Sequence, residues 1–191
     1  MNIERFNRAI EAFDNANAQD PNQEAYDGEV YPKELLYGKR MTEYLHLFKP
    51  DASEALQVAA RSQHIRRWEI PRNAFPEGRT GYLQWREKLK HYHASTVEKI
   101  MEESGYPEED IKRVKQLLLK RGLKTDPEVQ TLEDVVCIVF LKYYFEDFAK
   151  DYAPEKIKDI LEKTLRKMSE AGIDFAKSLP NASAFLKYLG P

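Results

Sequence analysis

A single cysteine, Cys137, stands in 191 residues, so no disulfide can form within the chain. It falls inside the apolar run Val135–Leu141 and reads as a reduced core thiol, which predicts a reducing, cytoplasmic setting. That run is the longest apolar stretch, far short of the roughly 20 residues that cross a bilayer, and no membrane span is expected. The opening MNIERFNRAIEAF carries acids at helical spacing without an apolar core, so no export signal is expected either. The chain holds no glycine-rich phosphate loop, HExxH, CxxC pair or GxSxG. Nothing therefore recommends nucleophilic serine or cysteine chemistry. Excess charge of one sign is also missing. Thirty basic residues against 32 acidic leave a net −2, too little to predict a general nucleic-acid or membrane binder.

The remaining composition is that of a folded protein. Apolar residues make up 42% and aromatics 12%, which argues against disorder, and the length suits one domain with a sizeable core. Ile3, Phe6, Ala9, Ile10 and Phe13 recur at helical spacing, so residues 2 to 16 read as an amphipathic helix. Residues 19 to 31 hold Pro21, Gly28 and several turn formers and read as a long loop. Pro32 then suits a first helical position before Lys33–Phe48. Asp51 with Glu54 suggests a capping box for a third helix running through Trp68. Ile70-Pro71 and Phe75–Gly78 force an irregular connection, followed by a helix from about Gly81 to Glu103. The next helix starts at Pro107, with Ile111, Val114, Leu117 and Leu118 on its stripe and Gly122 as a left-handed cap. Asp126 caps a long helix to about Lys150, Pro154 starts another, and short helices follow near 172–179 and 181–189. With no useful strand alternation, the expected fold is all-α, one domain over 1–191.

Charge is concentrated in Arg61–Tyr92. Eight Lys or Arg face three acids there, a local +5, and both tryptophans, His64 and His91 lie in the same window. Six of the eight cations are arginine, and Arg66, Arg67, Arg72 and Arg79 flank or occupy proline-shaped loops. Guanidinium forks suit phosphate and carboxylate oxygens, and Trp68 supplies a flat face beside them. The pattern predicts a small anionic, phosphate-bearing ligand; a set of surface ion pairs is the alternative. Stacked single-stranded nucleic acid is disfavoured by the short patch and the net charge. His91 and His93 are two apart and cannot share a helical face; His93 travels with Leu89, Val97 and Ile100 and should point inward. Asp134 enters the apolar run with Gln130, Cys137 and Ile138, so its carboxylate needs a cation, a metal or backbone donors.

Two segments carry a resemblance. ALQVAARSQHIRRW (Ala55–Trp68) resembles the second metal-site helix of the His-Asp (HD) phosphohydrolase superfamily, and His93–Val135 resembles the part of that fold that follows it; the resemblance implies an HD-like multi-helix core at about 34–145, with the N-terminal and C-terminal helices packed onto it. QHIRRWEIPR, GYLQWR and QTLEDVVCIVFL are more closely similar to a family of helical domains of unknown function related to that superfamily. The HD resemblance places His64 at the motif histidine and Asp134 at the late aspartate ligand. The helix of the first HD histidine corresponds to Glu34–Phe48. It has no histidine in phase: Tyr37 or Glu43 is nearest, and His46 comes too late. Ile65 replaces the motif aspartate that bridges two ions. What the resemblance implies is one divalent ion (Mn, Fe, Zn or Mg) on His64 and Asp134, helped by Glu43, Glu69 or His93. Two functions follow as expectations. One is a metal-dependent phosphohydrolase acting on a small phosphate ester or nucleotide, with the arginines on the phosphate and Glu69 or Asp134 relaying the proton. The other is a non-catalytic HD-derived module that binds an anionic ligand or a protein partner. The residues leave oligomeric state open.

Overall fold

A computed structural model describes residues 2–189. Ten α-helices and one two-stranded ribbon account for the regular structure among them, so the all-α expectation holds. The described residues form two compact units, 2–42 with 52–121 and 43–51 with 122–189.

The first unit begins with α1 (Ile3–Asn17), whose first turn is capped by the Asn2 side chain accepting from the Arg5 amide at 3.1 Å. Strands β1 (Gln23–Tyr26) and β2 (Glu29–Pro32) then pair antiparallel, Tyr26 opposite Glu29. Residues 19–31 are therefore not the long loop their turn formers suggested. Asp27 (φ 51°) and Gly28 (φ 80°) both take left-handed backbone, the two-residue turn whose twist matches that of a hairpin. Asp-Gly was the legible signal. Arg40, buried on α2 (Lys33–Phe48), secures the ribbon by pairing with Glu24 and lying 4.6 Å from the Tyr26 ring centre. Pro32 closes β2 rather than opening α2.

Helix α3 (Glu54–Arg61) is capped by Ser53, whose hydroxyl accepts from the Leu56 amide at 3.2 Å, not by Asp51. It stops at Arg61, seven residues short of Trp68. Past it Arg66 adopts left-handed backbone (φ 49°), which no helix tolerates, and Arg67–Glu69 form a 3₁₀ turn. The strained Arg66 is held by its amide, which donates to Asn17 Oδ1 at 3.0 Å. A second 3₁₀ turn, Arg72–Ala74, leads to α4 (Gly78–Glu103), which starts three residues before Gly81. Helix α5 (Glu108–Leu118) follows; Gly122 is left-handed as expected (φ 93°), but Lys120 turns left-handed first and ends the helix earlier. Helices α1, α3, α4 and α5 pack together over Ala9, Phe13, Leu56, Ala59, Val97, Met101, Val114 and Leu117. The alanines of α3, Ala59 and Ala60, are fully buried, as close helix approach requires.

The second unit is built on α6 (Pro127–Val139), capped by Asp126 onto the Glu128 and Val129 amides. Its apolar circumference is buried at Val129, Leu132, Val135, Ile138 and Val139. The expected single helix to Lys150 is instead interrupted by a π-helical turn, Phe140–Tyr144, before α7 (Phe145–Lys150). A π turn leaves carbonyls without helical donors, and Asn181 Nδ2 supplies one to Leu141 O and Lys142 O, each at 3.1 Å. Helices α8 (Pro154–Lys167), α9 (Glu170–Lys177) and α10 (Ala182–Leu186) complete this unit.

Candidate functional site

The first unit carries a buried polar cluster at the end of α3, and His64 is its centre. The Tyr37 ring on α2 stacks on the imidazole at 4.0 Å between centres and 12° between planes. One turn earlier on α2, Glu34 places Oε2 3.3 Å from His64 Nδ1. From the 3₁₀ turn, Arg67 brings Nη1 to 2.9 Å from His64 Nε2. A guanidinium can only donate, so Nε2 is the acceptor and Nδ1 carries the proton directed at Glu34. Burial holds His64 neutral, its pKa pushed well below the usual histidine value, and the charges of Arg67, Arg86, Lys120 and Lys33 push the same way. The imidazole thus has no lone pair left over.

Arg67 is itself braced. Its guanidinium lies 4.8 Å from the Trp85 ring centre, and the Trp85 indole N–H donates to Ile70 O at 2.8 Å, tying α4 to the connection. Arg67 Nε is 4.0 Å from Glu34 Oε1, farther than the guanidinium lies from the imidazole. Glu34 shows the consequence: burial raises its carboxyl to a pKa of about 7, even against the pull of Arg67. Its backbone is pinned on both sides. The Glu34 amide donates to Asp20 Oδ2 at 3.0 Å, and Asn17 Nδ2 donates to its carbonyl at 3.4 Å. Asn17 therefore holds both the start of α2 and the left-handed Arg66.

His93 is buried beside His64, ring centres 6.0 Å apart, as its place on the apolar stripe implied, while His91 is exposed. His93 Nδ1 donates to Ile65 O at 2.8 Å, and burial lowers its pKa to about 3. Its Nε2 is a buried acceptor with no partner among the described residues.

The other candidates are placed elsewhere. Arg66 turns to Glu69 at 2.7 Å and to Gln19 at 3.2 Å. Glu69 accepts from Arg66 and from the Tyr92 hydroxyl. Arg72 donates to Phe75 O (3.0 Å) and Gly78 O (3.4 Å) and so staples the connection. Arg79 is exposed and has no ion pair among the described residues, and Trp68 is half-buried. The four arginines do not converge; only Arg67 reaches the cluster.

The side chains expected to hold a metal do not fit one. Both nitrogens of His64 are engaged, one by a cation. Asp134 and Glu43 belong to the second unit, where Glu43 is exposed. Asp134, 1% exposed, accepts from the Ser169 amide (2.8 Å) and Gln130 (3.0 Å) on Oδ1 and from the Ser169 hydroxyl (2.6 Å) on Oδ2. It organises the start of α9: Ser169 caps Gly172, where an added Cβ would sit 2.6 Å from the Asp134 carboxyl carbon. Among the described residues no three His, Cys, Asp or Glu side chains are grouped to hold an ion. Glu34, Trp85, Arg86, Lys33 and Lys120 are the members that sequence reasoning did not select. Glu34 was within reach, since 34, 37 and 41 fall on the buried face of α2.

Comparison with known proteins adds one match. No curated protein and no solved structure matches the chain. The model of a domain of unknown function, DUF4202, matches residues 7–188, nearly the whole chain, and the protein belongs to that family.

Proposed function

We propose that the protein is a non-catalytic helical module that binds a small phosphate-bearing anion without a metal, on the cationic surface around Arg67. One observation carries the reading: the Arg67 guanidinium occupies His64 Nε2 at 2.9 Å. In a relative of HD phosphohydrolases, that nitrogen would face a divalent ion. A guanidinium there keeps a positive charge in place and gives up the Lewis acid and the activated water. Phosphohydrolase chemistry at His64 would have to displace Arg67 first. Four cations, Arg67, Arg86, Lys120 and Lys33, act on the imidazole, and the nearby carboxyl, Glu34, is the one that burial keeps partly protonated near neutral pH. Protonated Glu34 leaves Arg67 to a ligand oxygen, so affinity should rise as pH falls from 8 to 6.

Calorimetric titration with inorganic phosphate and a nucleoside monophosphate in EDTA tests this. Saturable binding is expected, weakened at least about tenfold in Arg67→Ala, the loss of one charge-assisted contact of roughly 1.4 kcal/mol or more. Arg86→Ala, which leaves the Arg67–Trp85 packing in place, should weaken it in the same direction. Binding that requires added Mn or Mg, or phosphate release that appears with either ion, would overturn the proposal.

A further inference from the structure

A second, independent set of donors lies on the first unit, on residues that the Arg67 site does not use. A cavity of about 570 Å³ is lined by His91 of α4 and by Lys112, Lys115, Gln116, Leu119 and Arg121 of α5 and its C-terminal turn. Lys112, Lys115, Gln116 and Leu119 are spaced i, i+3, i+4 and i+7, so one face of α5 lines the cavity while Ile111, Val114, Leu117 and Leu118 fill the core behind it. The wall contains three cations, an amide, an imidazole and no carboxylate.

The backbone that carries these groups is fastened at the end of α5. Arg121 is exposed, without an ion pair among the described residues, yet its backbone is fastened: its amide donates to Gln116 O at 3.1 Å, and Gln116 Nε2 donates to its carbonyl at 3.4 Å. Left-handed Lys120 and Gly122 on either side fix the turn. Lys115 is half-buried and held by Glu98 at 2.6 Å. Glu108 and Glu87 pair with Lys112 (2.6 Å) and His91 (3.2 Å) from outside the wall. Exposed pairs of this kind are worth about 0–1 kcal/mol each, so a polyvalent anion can displace them.

We infer that this cavity is a binding site for a small polyanion of nucleotide size, with the phosphates on Lys112, Lys115 and Arg121 and an apolar portion against Leu119. The volume is larger than one phosphate needs and falls within the usual range for small-molecule pockets, about 300–1,000 Å³. The site goes beyond the Arg67 proposal and shares no residue with it.

The experiment is a titration of the full chain with inorganic pyrophosphate and a nucleoside triphosphate in EDTA, followed by ³¹P chemical shift and calorimetry. Wild type, a Lys115→Ala/Arg121→Ala double variant and Arg67→Ala are compared. Expected is saturable binding that falls at least about tenfold in the double variant and persists in Arg67→Ala, with the triphosphate tighter than pyrophosphate if Leu119 contributes. Arg121→Ala alone, an exposed truncation that leaves the Lys115–Glu98 pair intact, should weaken binding in the same direction and guards against misfolding of the double variant. Equal binding in wild type and both Arg121 variants would overturn the inference, as would binding lost only in Arg67→Ala. That last result would leave the Arg67 reading standing.

Discussion

Glu34→Gln should make the protein more stable at pH 8 by about 3 kcal/mol and leave it nearly unchanged at pH 4. The reason is the burial of Glu34 on α2, which raises its carboxyl from 4.5 to about 7 on folding. A raised acid means that the native state binds its proton more tightly than the unfolded chain does. The stabilisation tied to that proton is complete below the unfolded value of 4.5 and is lost as pH rises towards 7. Above pH 7 the wild type carries an ionised carboxylate in a site that favours the neutral form. Glutamine keeps the neutral shape and an acceptor for His64, so it avoids that loss. The neutral burial of His64 disfavours folding at low pH in both proteins, so it cancels in the comparison. Denaturant unfolding of both proteins at pH 4, 6 and 8 measures it; curves that stay parallel across this range would show that Glu34 does not titrate as argued.

The second large effect is expected at the opposite sign. Asp134→Ala should cost about 4 kcal/mol, because three hydrogen bonds to a buried carboxylate disappear and the Ser169 amide is left without its acceptor. The Ser169 cap on Gly172 loses its orientation at the same time, so α9 should fray before the rest of the unit. Asp134→Asn retains one acceptor oxygen and should cost about half as much. Thermal unfolding in EDTA and in Mn separates this structural role from metal ligation. The expected result is the same melting temperature for wild type in both buffers and the same drop for the variant. A wild type that melts lower in EDTA, with the difference abolished in Asp134→Ala, would restore Asp134 as a ligand.

Helical periodicity carried most of the fold because it depends on local spacing. The stripe at Ile111, Val114, Leu117 and Leu118 and the apolar circumference of α6 are buried as their patterns require. His93 was legible for the same reason: its neighbours at i−4 and i+4, Leu89 and Val97, are core residues. The failures occur where a single backbone angle outweighs the pattern. Asp27 and Gly28 convert an expected loop into a hairpin, and the helix expected to reach Trp68 stops at Arg61, with left-handed Arg66 turning the chain beyond it. Arg66 can hold that angle because Asn17, 49 residues earlier, accepts its amide, a partner that no local window contains.

The candidate site divides along the same line. Composition and order of residues were sufficient for an all-α chain, a cationic and aromatic segment around His64, and an inward His93, since each follows from side-chain type and helical phase. Where each arginine points, and what it contacts, required the folded chain. Arg66, Arg67 and Arg72 are chemically alike and close in sequence, yet one pairs with Glu69, one with His64 and one with backbone carbonyls. Their directions are set by the turn at Arg66 and by contacts with α1, α2 and α4. The pKa of Glu34 and the tautomer of His64 arise from burial and neighbouring charge, and both exist only once those helices have packed.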